Sequence, residues 1–276
     1  MSRTLLGALL TVLLLTLAPA GHAAPQADLW PRWQTHDPDS RARIDHTAWS
    51  DWLAKYRREP GDDGVARLDY AAAKANGREA LGAYIDRLAG VAISDYNRDQ
   101  QFAYWVNLYN AVTVDVVLAH YPVDSIRDID ISPQWFSSGP WGKELVTVEG
   151  QALTLNDIEH RILRPIWDDP RVHYAVNCAS IGCPNLQPEA FTASNTERLL
   201  ERGATAYINN WRGAVIDDGE LVVSSIYEWF QADFGGSEAG VIEHLRQYAE
   251  GELAERLQER SSYDDDRYDW SLNDVR

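Results

Sequence analysis

The chain has 276 residues, 45% of them apolar, with 11 Trp and 13 Tyr, which is enough to build a core and excludes a disordered chain. Its formal charge is −17, and −18 if Arg3 leaves with an export signal. A field of that sign repels nucleic acid and anionic membrane surfaces, so neither is expected as a partner.

Residues 1–23 read as that signal. Arg3 is a short positive start, Leu5 to Leu17 is an apolar run, and Ala18-Pro19-Ala20-Gly21-His22-Ala23 is a small-residue cleavage region. The run is shorter than the roughly 20 residues that span a bilayer. No later apolar stretch is expected to cross one. The mature chain, starting near Ala24, is therefore expected to be periplasmic or secreted and free of the membrane.

Residues 24–45 are expected to form an irregular arm lying on the body, with Trp30, Pro31 and Trp33. His46 to Tyr56 has helical spacing, with Trp49, Trp52, Leu53 and Tyr56 on one face. A Pro60 to Gly64 loop and a short Val65 to Tyr70 segment, strand or helix lead-in, precede an alanine-rich helix to Leu88. Asp99 to His120 is the strongest predicted helix, because Phe102, Trp105, Val106, Tyr109, Val112, Val116 and Val117 recur at three- and four-residue steps. Pro122 ends it, and Ile126 to Gly142 is an aromatic loop.

Leu145 to Val148 and Gln151 to Leu153 flank a Glu149-Gly150 turn and predict a hairpin. Thr154 then caps a helix to Leu163, with Asp157 three residues on. Val172 to Asn177 is predicted as a short strand, Cys178 to Pro188 as a loop and Ser194 to Asn209 as a helix. A second hairpin turns at Asp217-Asp218-Gly219, and Ile226 to Phe230 and Gly240 to Tyr248 are helical. The acidic end, Ser261 to Arg276, keeps Tyr263, Tyr268 and Trp270 and is expected to pack. The expectation is one mainly helical α+β domain over 46–276, with short hairpins or a small antiparallel sheet.

Three segments place polar side chains in apolar surroundings, where each needs a hydrogen-bonding or chemical reason. They are Ala103 to Ala111, Leu155 to Leu163, and His173 to Pro184 with the string NCASIGCP. Together they resemble the family called domain of unknown function 547. The resemblance extends to Tyr121 to Ile126, Trp141, Asp169-Pro170-Arg171, Tyr227 to Phe230, Asp233-Phe234-Gly235 and Tyr268 to Asn273. It covers nearly everything from Trp49 to the end. It implies a fold, and a cysteine-peptidase-like arrangement in which Glu159, His173 and Cys178 form a triad, with Cys183 as an accessory.

The residues themselves leave more than one path open. A thiol becomes a strong nucleophile beside a histidine, but a regular strand would put His173 and Cys178 on opposite faces. His160 is the rival base. It adjoins Glu159 on a helix, so only one of the two is expected to point into a given site. Asn107 could donate to an oxyanion, or it and Asn110 could simply hold a neighbouring loop.

Cys178 and Cys183, the only cysteines, allow a disulfide, two buried thiols, a thiolate nucleophile, or a zinc site completed by a histidine. The leading expectation is a thiol hydrolase or acyltransferase acting on an amide or ester of a small molecule or peptide, with no cofactor or metal. The alternative is a non-catalytic peptide- or glycan-binding or assembly module. There a Cys178–Cys183 disulfide rigidifies a loop beside the Trp135–Trp141 region.

Overall fold

The computed structural model describes residues 25–133 and 139–275. The signal-like segment and Trp135, part of the expected aromatic surface, lie outside them. Because Pro fixes φ and has no N–H to lose at a helix start, Pro31 opens a short 3-10 turn, Pro31–Gln34, inside the amino-terminal arm. Trp33 of that turn is 2% exposed, and the arm is tied down by Asp28 and Trp30 amides donating to the carbonyls of His160 and Arg161.

Helix α1, Thr47–Tyr56, buries the four aromatic and leucine positions its spacing predicted. The strands β1 (Arg57–Arg58) and β2 (Arg67–Leu68) pair antiparallel and reverse the chain. The alanine-rich segment is two helices, α2 (Tyr70–Asn76) and α3 (Arg78–Ala89), rather than one. Gly77 divides them. A Cβ there would stand 2.5 Å from the Tyr56 ring, so only glycine permits the close approach.

Helix α4, Arg98–His120, starts at Asn97, whose side chain caps the Gln100 amide. Helical periodicity predicts a one-sided stripe, but residues 100–114 are buried without a break, so α4 runs through the interior with neighbours on all sides. By length and composition α4 could cross a membrane, which corrects the expectation that no later stretch could. Yet 89% of its apolar window is buried inside the protein.

The first predicted hairpin forms as β3 (Val146–Val148) and β4 (Gln151–Leu153). Thr154 and Asp157 then bond reciprocally. The Thr154 hydroxyl donates to Asp157 at 2.7 Å and accepts from the Asp157 amide at 3.0 Å. The segment beyond this cap is not a plain α-helix: Asp157–Leu163 is a wide π turn, continued by α5, Arg164–Trp167. The predicted strand over 172–177 is a helical turn, α6 (Val172–Ala175), because the Asp169 to Arg171 carbonyls take the amides of Val172, His173 and Tyr174.

The chain continues through α7 (Thr196–Ile208), β5 (Ala214–Asp217), β6 (Glu220–Ser224), α8 (Ser225–Trp229), α9 (Glu238–Arg246) and α10 (Gly251–Leu257). Then β7, Asp265–Arg267, adds to β6 in parallel, so the largest sheet is β5-β6-β7. The fold is mixed α+β with small, mostly antiparallel sheets. One apolar cluster surrounds α4, and a smaller one lies between α7, α9, α10 and the three-stranded sheet. The acidic tail packs, as its aromatic residues suggested. Leu272, Asn273 and Asp274 are buried, and Leu272 and Asn273 donate to the carbonyls of Asp124 and Ala179.

Candidate functional site

The interior polar residues of α4 hold backbone. Asn107 donates to the Phe191 carbonyl at 2.8 Å and accepts from the Phe191 amide at 3.0 Å. Asn110 does the same between the Ala175 carbonyl and the Asn177 amide, at 2.9 and 2.8 Å. Both amides are thus engaged in fixing neighbouring segments, Asn110 those on either side of Val176. Asn177 extends the chain of contacts, donating to the Pro184 carbonyl and accepting from the Ala179 amide across the mouth of the cysteine loop.

Around His173 the structure gathers charge. His173 is 3% exposed and its ring stacks on Phe230 at a centroid distance of 4.5 Å. Its Nε2 is 2.7 Å from Asp233, and its Nδ1 is 3.9 Å from Glu159. Arg164 grips Asp233 through two nitrogens, Nε and Nη2, and donates from Nη1 to His160 Nδ1 at 2.9 Å. Burial works against the Asp233 charge, but hydrogen bonds from His173 and Arg164 outweigh it and hold the carboxyl well below its usual range. Burial lowers His160 to about 4, against the pull of Glu159, so its ring is neutral at pH 7 and can accept from Arg164.

Adjacent residues on a plain helix would face apart, yet Glu159 and His160 both end in this cluster. His160 stacks on Phe230 at 5.6 Å, on the ring that also covers His173. The wide turn is the cause: Arg164 bonds back to the Glu159 carbonyl, five residues earlier. Such turns recur at functional sites.

Cys178 and Cys183 form a disulfide. The Cys178 sulfur is half-buried, with the hydroxyls of Tyr268 at 3.0 Å and Ser180 at 3.2 Å. Ser180 and Tyr268 are also 2.9 Å apart. Tyr268 packs against Trp229 and Trp270, and its phenol is raised well above the ordinary value by burial first, with Tyr207 and Glu159 adding. Glu159 likewise adds to the burial that raises Tyr109. Its charge therefore reaches both the His173 cluster and the phenol that touches Cys178.

Of the expected triad, Glu159 and His173 meet. The polar contacts of the Cys178 sulfur are instead Tyr268 and Ser180. Helical turn α6 removes the strand alternation on which the opposite-face argument for His173 and Cys178 rested. Among the described residues no group of three or more His, Cys, Asp or Glu side chains is arranged to hold a metal.

Sequence reasoning did not assign a role to Asp233 or Tyr268. Asp233 and Tyr268 stand in strings that carried the resemblance, but their partners are 60 and 90 residues away in sequence, so no local spacing connects them. Residues 93–208 match the model of a family described as a protein of unknown function, DUF547. That span holds Glu159, His160, His173, Cys178 and Cys183, while Asp233 and Tyr268 come from beyond it. No curated protein and no solved structure matches the chain.

Proposed function

With residues 93–208 belonging to the DUF547 family, we propose that the chain is an exported thiol-dependent hydrolase or acyltransferase acting on an amide or ester, held latent by its Cys178–Cys183 disulfide. Export rests on the signal-like first 23 residues, and a disulfide between neighbouring cysteines suits an oxidising compartment. Reduction by a dithiol, which gives up two electrons and becomes a disulfide itself, returns both cysteines to thiols. Cys178 then attacks the carbonyl, a thioester forms as the amine or alcohol leaves with a proton, and water or a second acceptor resolves it.

One observation carries the reading: two hydroxyls converge on a half-buried sulfur, and a buried carboxylate–histidine array lies in the same fold. Hydroxyl donors at that range stabilise a thiolate, and Asp233 and Glu159 flank the His173 ring. With Nε2 on Asp233, the other ring nitrogen of His173, Nδ1, lies on the Glu159 side.

The alternative, a non-catalytic module, is favoured by how firmly the cysteine loop is fastened. Arg212 donates to the carbonyls of Ile181 and Cys183, and Tyr207 donates to that of Gly182. Intact-mass labelling with iodoacetamide after mild dithiol treatment separates the two. The enzyme reading expects selective modification of Cys178 in the folded protein, faster than an ordinary thiol at pH 6, and loss of that label in Cys178→Ser. Equal, slow labelling of both cysteines would sink it.

A further inference from the structure

A small pocket of about 130 Å³ opens behind Tyr268, lined by Gly182, Trp211, Arg212, Arg267, Tyr268 and Asp269. Two arginines lining one pocket are unexpected in a chain whose charge is −17. Arg212 is 3% exposed, and its donors all go to uncharged oxygens: the carbonyls of Gly64, Ile181 and Cys183 and the side-chain amides of Asn185 and Asn210. Among the described residues no carboxylate forms an ion pair with it; its charge lies 5.6 Å over the Tyr207 ring and feels Asp63 at longer range.

Arg267 supplies the second cation. Its Nη2 donates to the Trp211 carbonyl at 3.2 Å, and its Nη1 is 3.6 Å from an exposed Asp217 carboxylate. Its Nε is buried and lacks a hydrogen-bond partner among the described residues. The Arg267 side chain as a whole is 39% exposed and so open to a ligand. The guanidinium lies 5.6 Å over the Trp211 ring, and Trp211 is itself 39% exposed, one of the few large apolar side chains left open to solvent. The acidic wall residue, Asp269, is turned back on its own chain and accepts from the Ser271 amide at 2.8 Å.

We propose that this pocket binds the carboxylate of a small organic ligand, with Arg267 as its ionic and hydrogen-bonding partner and the Trp211 and Tyr268 rings as its walls. A carboxylate fits the chemistry because its two oxygens match the guanidinium edge, while the rest of the ligand covers the aromatic faces. Of the pocket wall, Gly182 belongs to the cysteine loop and the Tyr268 hydroxyl touches the Cys178 sulfur. A ligand seated there is a neighbour of the disulfide whether or not Cys178 performs catalysis.

The test is binding, not turnover. The folded protein is titrated with N-acetylglycine, its neutral amide N-acetylglycinamide, and glucuronate, by calorimetry and Trp fluorescence in low-chloride buffer. Saturable binding of a carboxylate is expected, with a Kd on the order of 1 mM and the amide roughly tenfold weaker. N-acetylglycine binding alone identifies a peptide end, and glucuronate alone a sugar acid. Arg267→Gln is expected to weaken carboxylate binding roughly tenfold while leaving the melting temperature in place. Equal affinity for acid and amide, an unchanged Kd in Arg267→Gln, or no saturation overturns the proposal. Failure of the thiol reading would show instead as unselective cysteine labelling, which this titration does not measure.

Discussion

Arg164 and Arg212 are both almost fully buried, yet they hold their regions in opposite ways. Arg164 sits in the His173 cluster and is neutralised by Asp233 through two contacts. Among the described residues, Arg212 sits behind the cysteine loop, donates to carbonyl and amide oxygens and lies over the Tyr207 ring. The first arrangement fixes a charge pattern around an imidazole. The second fixes a backbone path without a carboxylate in contact among the described residues. A buried guanidinium can therefore serve chemistry or shape, and its partners tell which.

The sharpest way to break this comparison is to remove one partner from each side. Asp233→Ala strands Arg164 and releases His173, and is expected to cost about 3–5 kcal/mol by urea unfolding. Arg212→Met removes the buried charge together with its donors. Its expected loss is smaller, about 2 kcal/mol, from acceptors left unmade near Ile181 and Cys183. If Arg212→Met proves the more damaging, the contrast between the two arginines is wrong.

Acid should distinguish the regions as well. His160 titrates at about 4 in the folded protein and near 6.5 when unfolded, so between those values the unfolded state binds the extra proton. Stability therefore falls as pH drops from about 6.5 to about 4, by up to about 3 kcal/mol from this residue. His160→Gln should remove that part of the slope. His46 and His244, also lowered to about 4 by burial, add slopes of the same sign elsewhere. Asp233, whose folded carboxyl is held low, adds a further loss only once pH falls below about 4, where the unfolded carboxyl protonates.

The smallest effect is expected from the disulfide. It closes a short loop that hydrogen bonds already fasten, so reduction should cost at most about 2 kcal/mol and leave the fold intact. Collapse on reduction would mean that the loop depends on the bond rather than on Arg212, Tyr207 and Asn177. In the same region Gly182→Ala should reduce stability measurably, because a Cβ would meet the Asp269 amide nitrogen at 2.9 Å.

Much of the fold was legible where local signals suffice. Helix α1 follows from the spacing of its apolar residues, and the two hairpins follow from Glu149-Gly150 and Asp218-Gly219 turns with positive φ at all four residues. The strand expected at Val172 to Asn177 failed because a short apolar run has no period of its own. There the Asp169 side chain bonds the Arg171 amide and its carbonyl that of Val172, drawing the chain into a turn. Strand β7 was invisible because Asp265-Asp266-Arg267 has no strand-like composition. It forms since β6 offers an open edge and Asp264 accepts from the Leu221 amide.

The sequence alone was sufficient for the α+β class, the family resemblance, the reciprocal Thr154–Asp157 cap and the few polar residues that interior positions had to explain. Those are properties of neighbours along the chain, where propensity, capping and motif spacing act. Which nitrogen of His173 meets which carboxylate, which hydroxyls reach the Cys178 sulfur, and which arginine has no carboxylate in contact among the described residues were decided only by tertiary packing. Contacts across 60 to 90 residues depend on how the segments settle against α4 and one another, and no local spacing encodes that.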